Sequence, residues 1–433
     1  MSKTKEKLSP KDITDIFTSG CKREKNIGIE YERLLISSET NTAADYDLSV
    51  CSLLRIFAKE DNWDYITDDY NIIGLKQEHD AITLEPGAQL ELSLKPETNI
   101  CDAEKKITSF DKKLKPVLER LGLKMLNYGI SPVSTHKNIK IIPKRRYHLM
   151  AKYLWGILSD VMMRETAGLQ VCIDFCDEPD AVRKFSIANK LSPFMTAMFA
   201  NSPIRGGADT GYKSFRALSW LNTDNDRCGF AGGLEGEFSF NEYIDRVMKT
   251  PLIFINRGEA AAPVNGKINF EEFMNYGWNG IEAELDDFIL HANLYFPEVR
   301  LRNFIEIRNH DCAGHGLQYS IAAIYKGIMY NETALADAEE LLSVFSAKDF
   351  AEFRFNVPRS AMDFKLKKYE VCEIAKEILR IAEKALSGSV DYKYLEHIKE
   401  YTMDGISPAD VILRNWYGSW NKDINKLTAY VEN

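Results

Sequence analysis

The stretch ITLEPGAQLELS, residues 82–93, contains the pattern on which the fold prediction depends. Pro86-Gly87 marks a turn, and on either side of it Glu85, Gln89 and Glu91 have one parity while the leucines have the other. In an extended chain, residues two apart point to the same face. The stretch therefore predicts two short strands with polar side chains on one face and leucines on the other.

Two distant segments repeat this arrangement. IGIEYERLLI, residues 27–36, and FIEIRNHD, residues 304–311, also carry acids on one parity and apolar residues on the other. An unpaired carboxylate is costly to bury on an apolar strand, so these acids need cations. Converging carboxylates are typical of magnesium sites, which usually handle phosphate. The pattern predicts an ATP-using enzyme with these metal ligands: Glu30, Glu32, Glu85, Glu91 and Glu306.

The order of the predicted elements favours one fold class. Strand-like segments are scattered along the chain and interrupted by helices, without the regular alternation of a doubly wound sheet. This order favours an α+β fold, an antiparallel sheet backed by helices. Because the acids come from residues 30–32, 85–91 and 306, the sheet must draw strands from most of the chain. We therefore expect residues 1–433 to form a single catalytic domain, with a helical portion from about 317 to 433 packed on the sheet.

The amino-acid composition and net charge of the chain limit the classes of molecule that it is expected to bind. Of 433 residues, 45% are hydrophobic and 27% are charged, which is ordinary for a globular protein. The net charge of −9 argues against nucleic acid or an anionic membrane as partner. The sequence contains no run of 18 apolar residues, so it does not predict a membrane-spanning helix. Residues 1–17 lack the apolar core of a signal peptide, so we expect a cytoplasmic protein. We also expect the protein to be either a monomer or a homodimer.

The chain has no glycine-rich phosphate loop. Residues 206–214, GGADTGYKS, nearly match G-x4-G-K-[ST], but Tyr212 separates Gly211 from Lys213. One inserted residue displaces the lysine from the phosphates that such a loop would hold. Metal ions and arginines must therefore hold any bound ATP.

Two central segments supply candidate substrate ligands. RALSWLNTDNDR, residues 216–227, begins and ends with arginine, a residue that binds carboxylate and phosphate through two parallel hydrogen bonds. Taken singly, each arginine is more often a surface ion pair. ETAGLQV, residues 165–171, places Thr166 and Gln170 at the start of another strand, where Gln170 is positioned to reach a substrate or a metal-bound water.

Taken in this order, the segments resemble the glutamate–cysteine ligases of plants and many bacteria. ITLEPGAQLELS is the most specific piece, and the resemblance extends from about residue 27 to residue 420. The other matching pieces are GIEYE (28–32), YGISP (128–132), PKRRYHLM (143–150), TAGLQVCIDF (166–175), ANSPIRGG (200–207), RALSWLNTDNDR (216–227), FPEVRLRNFIEIR (296–308), SPA (407–409) and WYGSW (416–420).

The resemblance implies a glutamine-synthetase-like fold, in which a curved antiparallel sheet forms an open funnel with helices outside. It implies ATP-dependent joining of the γ-carboxylate of glutamate to the amine of cysteine through a γ-glutamyl phosphate, the first step of glutathione synthesis. It also implies two or three magnesium ions at the five acids. The residues implied at the substrates are Arg308 and Arg227 for catalysis, Arg216, Trp220, Gln170 and Thr166 for substrate binding, and Arg308 and Gln89 for the nucleotide.

One segment departs from the family pattern. After Arg308, relatives carry a GADGGPWRRL-like run with two arginines, whereas this chain has NHDCAGHGLQYSI, with His310 and His315. His315 either replaces the missing cation or has a structural role. The departure leaves two alternatives open: a ligase with a different acceptor amine, and a non-catalytic homologue that binds a metabolite or regulates a partner.

Overall fold

The structure is a computed structural model that describes residues 8–22, 24–257 and 260–432. Residues 1–7, which belong to the segment inspected for a signal peptide, lie outside the described residues.

The strands of the described residues are numbered in chain order. They are β1 (Ile27–Ser37), β2 (Asp64–Asp68), β3 (Asn71–Gln77), β4 (Asp80–Leu84), β5 (Leu90–Ser93), β6 (Leu123–Leu126), β7 (Gly168–Ile173), β8 (Ile204–Arg205), β9 (Ala208–Asp209), β10 (Cys228–Gly229), β11 (Phe254–Arg257), β12 (Ala260–Pro263), β13 (Phe296–Pro297), β14 (Val299–Leu301), β15 (Ile305–Asp311), β16 (Lys365–Leu366) and β17 (Tyr369–Glu370).

The α-helices are numbered in the same way. They are α1 (Pro10–Thr18), α2 (Cys51–Asp61), α3 (Ile100–Arg120), α4 (Arg145–Tyr153), α5 (Ser159–Glu165), α6 (Glu178–Met198), α7 (Phe215–Leu221), α8 (Phe240–Lys249), α9 (Phe270–Tyr276), α10 (Leu285–Asn293), α11 (Leu317–Met329), α12 (Glu332–Leu342), α13 (Ala347–Ser360), α14 (Val371–Leu386), α15 (Glu396–Asp404), α16 (Pro408–Tyr417) and α17 (Ile424–Val431).

A nine-stranded sheet forms the centre of the molecule. Its order is β14-β15-β7-β1-β5-β4-β3-β2, and β6 pairs with the far end of β1. The neighbouring strands of this sheet are antiparallel. The predicted α+β fold with a large antiparallel sheet is therefore confirmed.

The two faces of the sheet differ as the strand parity predicts. Ile29, Leu90, Leu92, Ile305 and Ile307 lie on the covered face and are at most 1% exposed. That face packs against helices: α11 contacts β1 and β7, and α6 contacts β15. The helices after residue 317 thus reach the sheet through α11, while the single-domain organisation stays a prediction.

The turn between β4 and β5 depends on a close approach of two backbones. Glu85 donates its amide to the Gln89 carbonyl at 2.9 Å, which closes the loop. A Cβ atom at Gly87 would lie 2.2 Å from the Arg164 carbonyl oxygen, so only glycine lets this loop reach the end of α5. The loop brings Glu85 to the edge of the sheet face that the helices leave open.

Candidate active site

A cavity of about 290 Å³ lies on the open face of the sheet. Four of the five predicted acids line it: Glu30, Glu32, Glu85 and Glu91. The strand register explains their proximity, because Glu32 is the direct partner of Glu91, and Glu30 lies between Ser93 and Gln170 on the flanking strands. Acids from the first half of β1, from β5 and from the β4–β5 turn are thereby brought together.

These four carboxylates lack ion-pair partners. Among the described residues, no lysine, arginine or histidine nitrogen lies within 4.0 Å of any of them. Glu32 accepts hydrogen bonds from the Gly168 amide at 2.5 Å and from Gln170 Nε2 at 3.0 Å. Glu91 accepts from Thr83 Oγ1 at 2.6 Å. The cavity therefore concentrates negative charge that only hydrogen-bond donors and distant cations offset.

The pKa values reflect this crowding. Burial raises the pKa of Glu30 to about 7, and the nearby Glu306 carboxylate adds to the rise. Burial also raises the pKa of Glu32, against the opposing charge of Arg216. The pKa of Glu91 is raised well above its usual value by burial and then by the charge of Glu85. A cation placed among these carboxylates would relieve both the desolvation and the repulsion.

The fifth acid, Glu306, is engaged by arginines. It is fully buried and does not line the cavity. Arg300 binds both of its oxygens, through Nε at 2.5 Å and Nη2 at 2.9 Å, and Arg308 Nη1 donates to it at 2.8 Å. Although burial opposes ionisation, these two arginines lower the pKa of Glu306 to about 2. Glu306 is therefore an ionised carboxylate that holds two arginines beside the cavity, and its place in the metal site stays a prediction.

Arginines line the cavity at both ends. Arg308, predicted to act on substrate and nucleotide, lines it and donates from Nη1 to Gln170 Oε1 at 2.7 Å. Its neighbours Arg300 and Arg302 also line the cavity, and Arg146 lines the opposite end. These three arginines are not among the site residues predicted from the sequence. Their signals were present, since Arg300 and Arg302 share the parity of Glu306 and Arg146 belongs to the basic PKRRYHLM segment.

Arg216 lies behind the cavity wall. It is buried, and its Nη2 donates to the Arg308 carbonyl at 3.0 Å, while Nε and Nη1 have no partner in the described structure. A Cβ at Gly168 would lie 2.3 Å from Nη2, so glycine is what allows the guanidinium to rest against β7. Trp220 lines the cavity itself, and its ring centre is 5.9 Å from Arg216 Cζ. The two predicted substrate ligands are therefore neighbours, with only Trp220 facing the cavity.

Thr166, Gln170 and Gln89 all line the cavity. Gln170 bridges Glu32 and Arg308 through its amide. Thr166 Oγ1 donates to the Met162 carbonyl at 2.6 Å. Gln89 accepts from the Gly87 amide at 2.7 Å and donates to the Met163 and Thr166 carbonyls at 3.2 and 2.9 Å. Its amide thus braces the cavity wall and uses both of its hydrogens there, and its predicted contact with a nucleotide stays a prediction.

Arg227 does not line the cavity, contrary to its predicted catalytic position. It is 1% exposed and its donors are used by the protein: Nε by Asp224 at 3.1 Å, Nη1 by the Leu294 carbonyl at 3.0 Å, and Nη2 by the Pro251 carbonyl. It supports the wall formed by Leu294. Sequence motif alone did not separate it from the arginines that face the cavity.

The histidines of the departing segment also lie elsewhere. His310 is buried between the Leu169 carbonyl and the Tyr325 hydroxyl, and burial lowers its pKa to about 3, so it is neutral. His315 contacts the Tyr430 carbonyl at 3.0 Å. Neither lines the cavity. His315 therefore does not replace an arginine there.

The carboxylates of the cavity suit magnesium that binds together with a nucleotide. Carboxylate oxygens are the ligands that this ion prefers, and the unpaired acids lack a cation. However, no three His, Cys, Asp or Glu side chains in the described ranges are grouped as a complete metal site. Magnesium is usually held by one or two carboxylates together with substrate phosphates. The acids therefore fit ions that arrive with a nucleotide.

Comparison with known proteins identifies relatives of the whole chain. A family model described as glutamate–cysteine ligase family 2 (GCS2) matches residues 26–429. The chain is 31% identical over 432 residues to the chloroplastic glutamate–cysteine ligase of Nicotiana tabacum, covering 98% of this chain and 82% of that one. It is equally identical to glutamate–cysteine ligase A of Oryza sativa subsp. indica, covering 98% and 87%.

Solved structures confirm the fold. The glutamate–cysteine ligase of Francisella tularensis, solved in complex with AMP, gives a TM-score of 0.57 at 12% identity, covering 95% of this chain and 89% of that one. A bifunctional glutathione synthetase from Pasteurella multocida gives 0.59 at 10% identity, covering 98% and 53%. At these identities the likeness shows the fold alone, and it confirms the predicted glutamine-synthetase-like class.

The relatives overturn one expectation. The plant enzymes are named chloroplastic, and these names contradict the prediction of a cytoplasmic location, which is wrong. The prediction rested on a missing apolar core, which detects secretory signals only. Separately, none of the helices in the described ranges has the length and apolar content needed to cross a bilayer.

Proposed function

The chain belongs to glutamate–cysteine ligase family 2 and is a ligase, and from this premise we propose that it joins the γ-carboxylate of glutamate to the amine of cysteine at the expense of ATP. The cavity that holds four unpaired carboxylates between arginines carries the proposal. Each of the two substrates that react first, ATP and glutamate, is an anion. A site for bringing them together must offset their charge, and this cavity has the groups to do so.

The reaction proceeds in two steps. An oxygen of the glutamate γ-carboxylate attacks the terminal phosphorus of ATP, the bond to the bridging oxygen breaks, and ADP leaves. The amine of cysteine then attacks the acyl carbon of the γ-glutamyl phosphate. The carbon–oxygen bond breaks, inorganic phosphate leaves, and the amine gives up a proton. No covalent bond to the protein is needed.

Arg308 has the position of the phosphoryl-stabilising group. It lines the cavity, and among the described residues only Nη1 of its guanidinium is bound by other side chains, Gln170 and Glu306. Those bonds fix the plane of the guanidinium, so the remaining N–H groups are directed without reorganisation at the moment of transfer. Arg302, which also lines this end, has no carboxylate within 4.0 Å among the described residues and adds a second free positive charge.

Arg146 offers a carboxylate-binding group at the other end of the cavity. Its Nε is buried without a partner, and Nη2 donates to the Tyr147 hydroxyl at 3.2 Å. An arginine with unused donors suits the α-carboxylate of an amino-acid substrate. The distance between the two arginine groups then keeps the α-carboxylate apart from the phosphates.

Magnesium would be held by Glu30, Glu32, Glu85 and Glu91. When bound there it would offset the charge of the triphosphate and of the substrate carboxylate. Bulky side chains at the wall, among them Trp220, Phe296 and Met163, would exclude water from the acyl phosphate, which hydrolysis would otherwise destroy.

The test uses the purified protein with ATP, magnesium and glutamate, with and without cysteine. We expect γ-glutamylcysteine, ADP and phosphate in equal amounts, identified by mass and by coupled assay. A panel of other amines in place of cysteine measures acceptor preference. Glu85→Gln serves as the inactive control. Absence of magnesium- and glutamate-dependent ADP release would contradict the proposal.

A further inference from the structure

Lys144 is a buried cation without a carboxylate partner. It precedes α4, is 9% exposed, and has no acidic oxygen within 4.0 Å among the described residues. Within the described ranges, the one hydrogen-bond partner of its ammonium is the Tyr147 hydroxyl, 3.2 Å from Nζ, and the ammonium lies 4.6 Å from the centre of that ring. Lysine is seldom buried without a paired acid because desolvation is costly. The residue therefore needs an explanation beyond packing.

The hydrogen bonds around Tyr147 have a defined direction. Its buried hydroxyl lies 3.2 Å from Lys144 Nζ, 3.2 Å from Arg146 Nη2, 3.1 Å from Glu85 Oε1 and 3.2 Å from the Leu84 carbonyl. An ammonium and a guanidinium only donate, so the phenol oxygen accepts from both cations. Its single hydrogen is then left for the two acceptors, Glu85 and the Leu84 carbonyl.

We propose that Lys144 is a positioning residue for Glu85, acting through Tyr147. By donating to the hydroxyl, the ammonium directs the phenolic hydrogen toward the Glu85 carboxylate and sets its orientation in the cavity. The inference rests on the proposed function, in which Glu85 holds magnesium. Partners that orient a metal-binding carboxylate are as much a part of such a site as the ligand itself.

The arrangement depends on the protonation of Lys144. If the ammonium loses its proton, its nitrogen becomes an acceptor, and the Tyr147 hydrogen can turn away from Glu85. Burial and the charge of Arg146 lower the pKa of Lys144 to about 8. Arg146 and Tyr147 face it from α4, Glu85 and Glu91 from the β4–β5 hairpin, and Asp68 from β2. The negative charges of the three acids oppose the lowering of the Lys144 pKa. The orientation of Glu85 should therefore weaken as the pH rises through about 8.

The variants Lys144→Met, Lys144→Arg, Tyr147→Phe and the Lys144→Met/Tyr147→Phe double variant test this pathway. The first readout is the affinity for Mn²⁺–ADP, measured by calorimetry, which needs no turnover. Loss of a group that orients a metal ligand reduces metal affinity by about 10- to 100-fold, and we expect this loss in Lys144→Met and in Tyr147→Phe. Because Lys144 acts through Tyr147, the double variant should be no weaker than Tyr147→Phe. Lys152→Met, on the exposed side of α4, is the matched control and should bind as the wild type does.

The second readout is the pH dependence of the same affinity. Arginine donates at every accessible pH, so Lys144→Arg should bind well at pH 7 and lose less affinity than the wild type between pH 7 and 9. Additive losses in the double variant, or unchanged affinity in a folded Lys144→Met protein, would overturn the inference. Product formation by the wild type tests the proposed function separately, so the two failures are distinguishable.

Discussion

Glu32 and Glu91 are direct partners in the register of β1 and β5, and both side chains face the same cavity. Like charges placed opposite each other on neighbouring antiparallel strands destabilise the pair. Neither residue has a cation within 4.0 Å in the part of the chain that the structure describes. The fold therefore places two repelling carboxylates opposite each other, and a bound cation would relieve that repulsion.

Glu91→Gln should separate stability from activity. The amide removes one of the crowded charges, so we expect a Tm equal to or above that of the wild type. Turnover should fall by at least about 100-fold, because the variant loses a proposed magnesium ligand. Differential scanning calorimetry and the ADP-release assay measure the two effects. A variant with near-normal turnover would remove Glu91 from the metal assignment.

The crowded acids of the cavity should stabilise the fold less as the pH rises. Glu30 has an ordinary pKa of 4.5 when unfolded and about 7 when folded, so the folded protein binds more protons between those values. Stability then falls as the pH rises from about 4.5 to about 7. The raised pKa values of Glu32 and Glu91 act in the same direction. These acids therefore contribute a decline in Tm over this range, measured without divalent ions, while buried His310 and His291, with pKa values lowered to about 3, contribute an opposing rise up to about pH 6.5.

The variant Glu30→Gln measures how much Glu30 alone contributes to the pH dependence of stability. The Tm of the variant minus that of the wild type should increase from pH 4.5 to pH 7, because the amide does not titrate and the variant lacks the decline that Glu30 contributes. Parallel curves for the two proteins would contradict the assigned role of Glu30. Magnesium with ADP should reduce the decline in the wild type, since bound ligands require the ionised carboxylates.

Arg300 and Arg302 form a matched pair for a stability test. Arg300→Met leaves the fully buried Glu306 with only Arg308, and removing one partner of a buried ion pair costs about 3–5 kcal/mol in the free energy of unfolding. Arg302 has no such partner, so Arg302→Met should change that free energy by no more than about 0.5 kcal/mol. Urea unfolding of both variants provides the comparison. Equal losses would mean that the Arg300–Glu306 pair is not the stabilising contact.

The variant Arg227→Met should show that Arg227 stabilises the fold and does not take part in catalysis. It leaves buried Asp224 without its cation and two carbonyls without a donor, so we expect a loss of about 3 kcal/mol in the free energy of unfolding. Normalised to the folded fraction, turnover should stay within a few-fold of the wild type. Loss of turnover in a protein that keeps its wild-type stability would restore the catalytic role that the sequence motif indicates.

Much of the site was predictable from residue types and parity. GIEYE and ITLEPGAQLELS each place acids on one face of a strand, and the structure brings those acids to one cavity. Arginines were harder to assign. Arg227 and Arg302 both belong to matching motifs, yet Arg302 lines the cavity and Arg227 is used inside the wall. The oligomeric state, monomer or homodimer, stays a prediction.

The chain alone determined which side chains share a sheet face, because the pleat of a strand alternates every residue whatever its neighbours are. Only the tertiary structure decided which of those charges are neutralised. Glu306 and Glu30 have the same pattern in the sequence, but Arg300 and Arg308 bind Glu306, while no cation of residues 8–22, 24–257 or 260–432 forms an ion pair with Glu30. Charge interactions depend on distances between strands that are far apart in the chain, and no local pattern contains those distances.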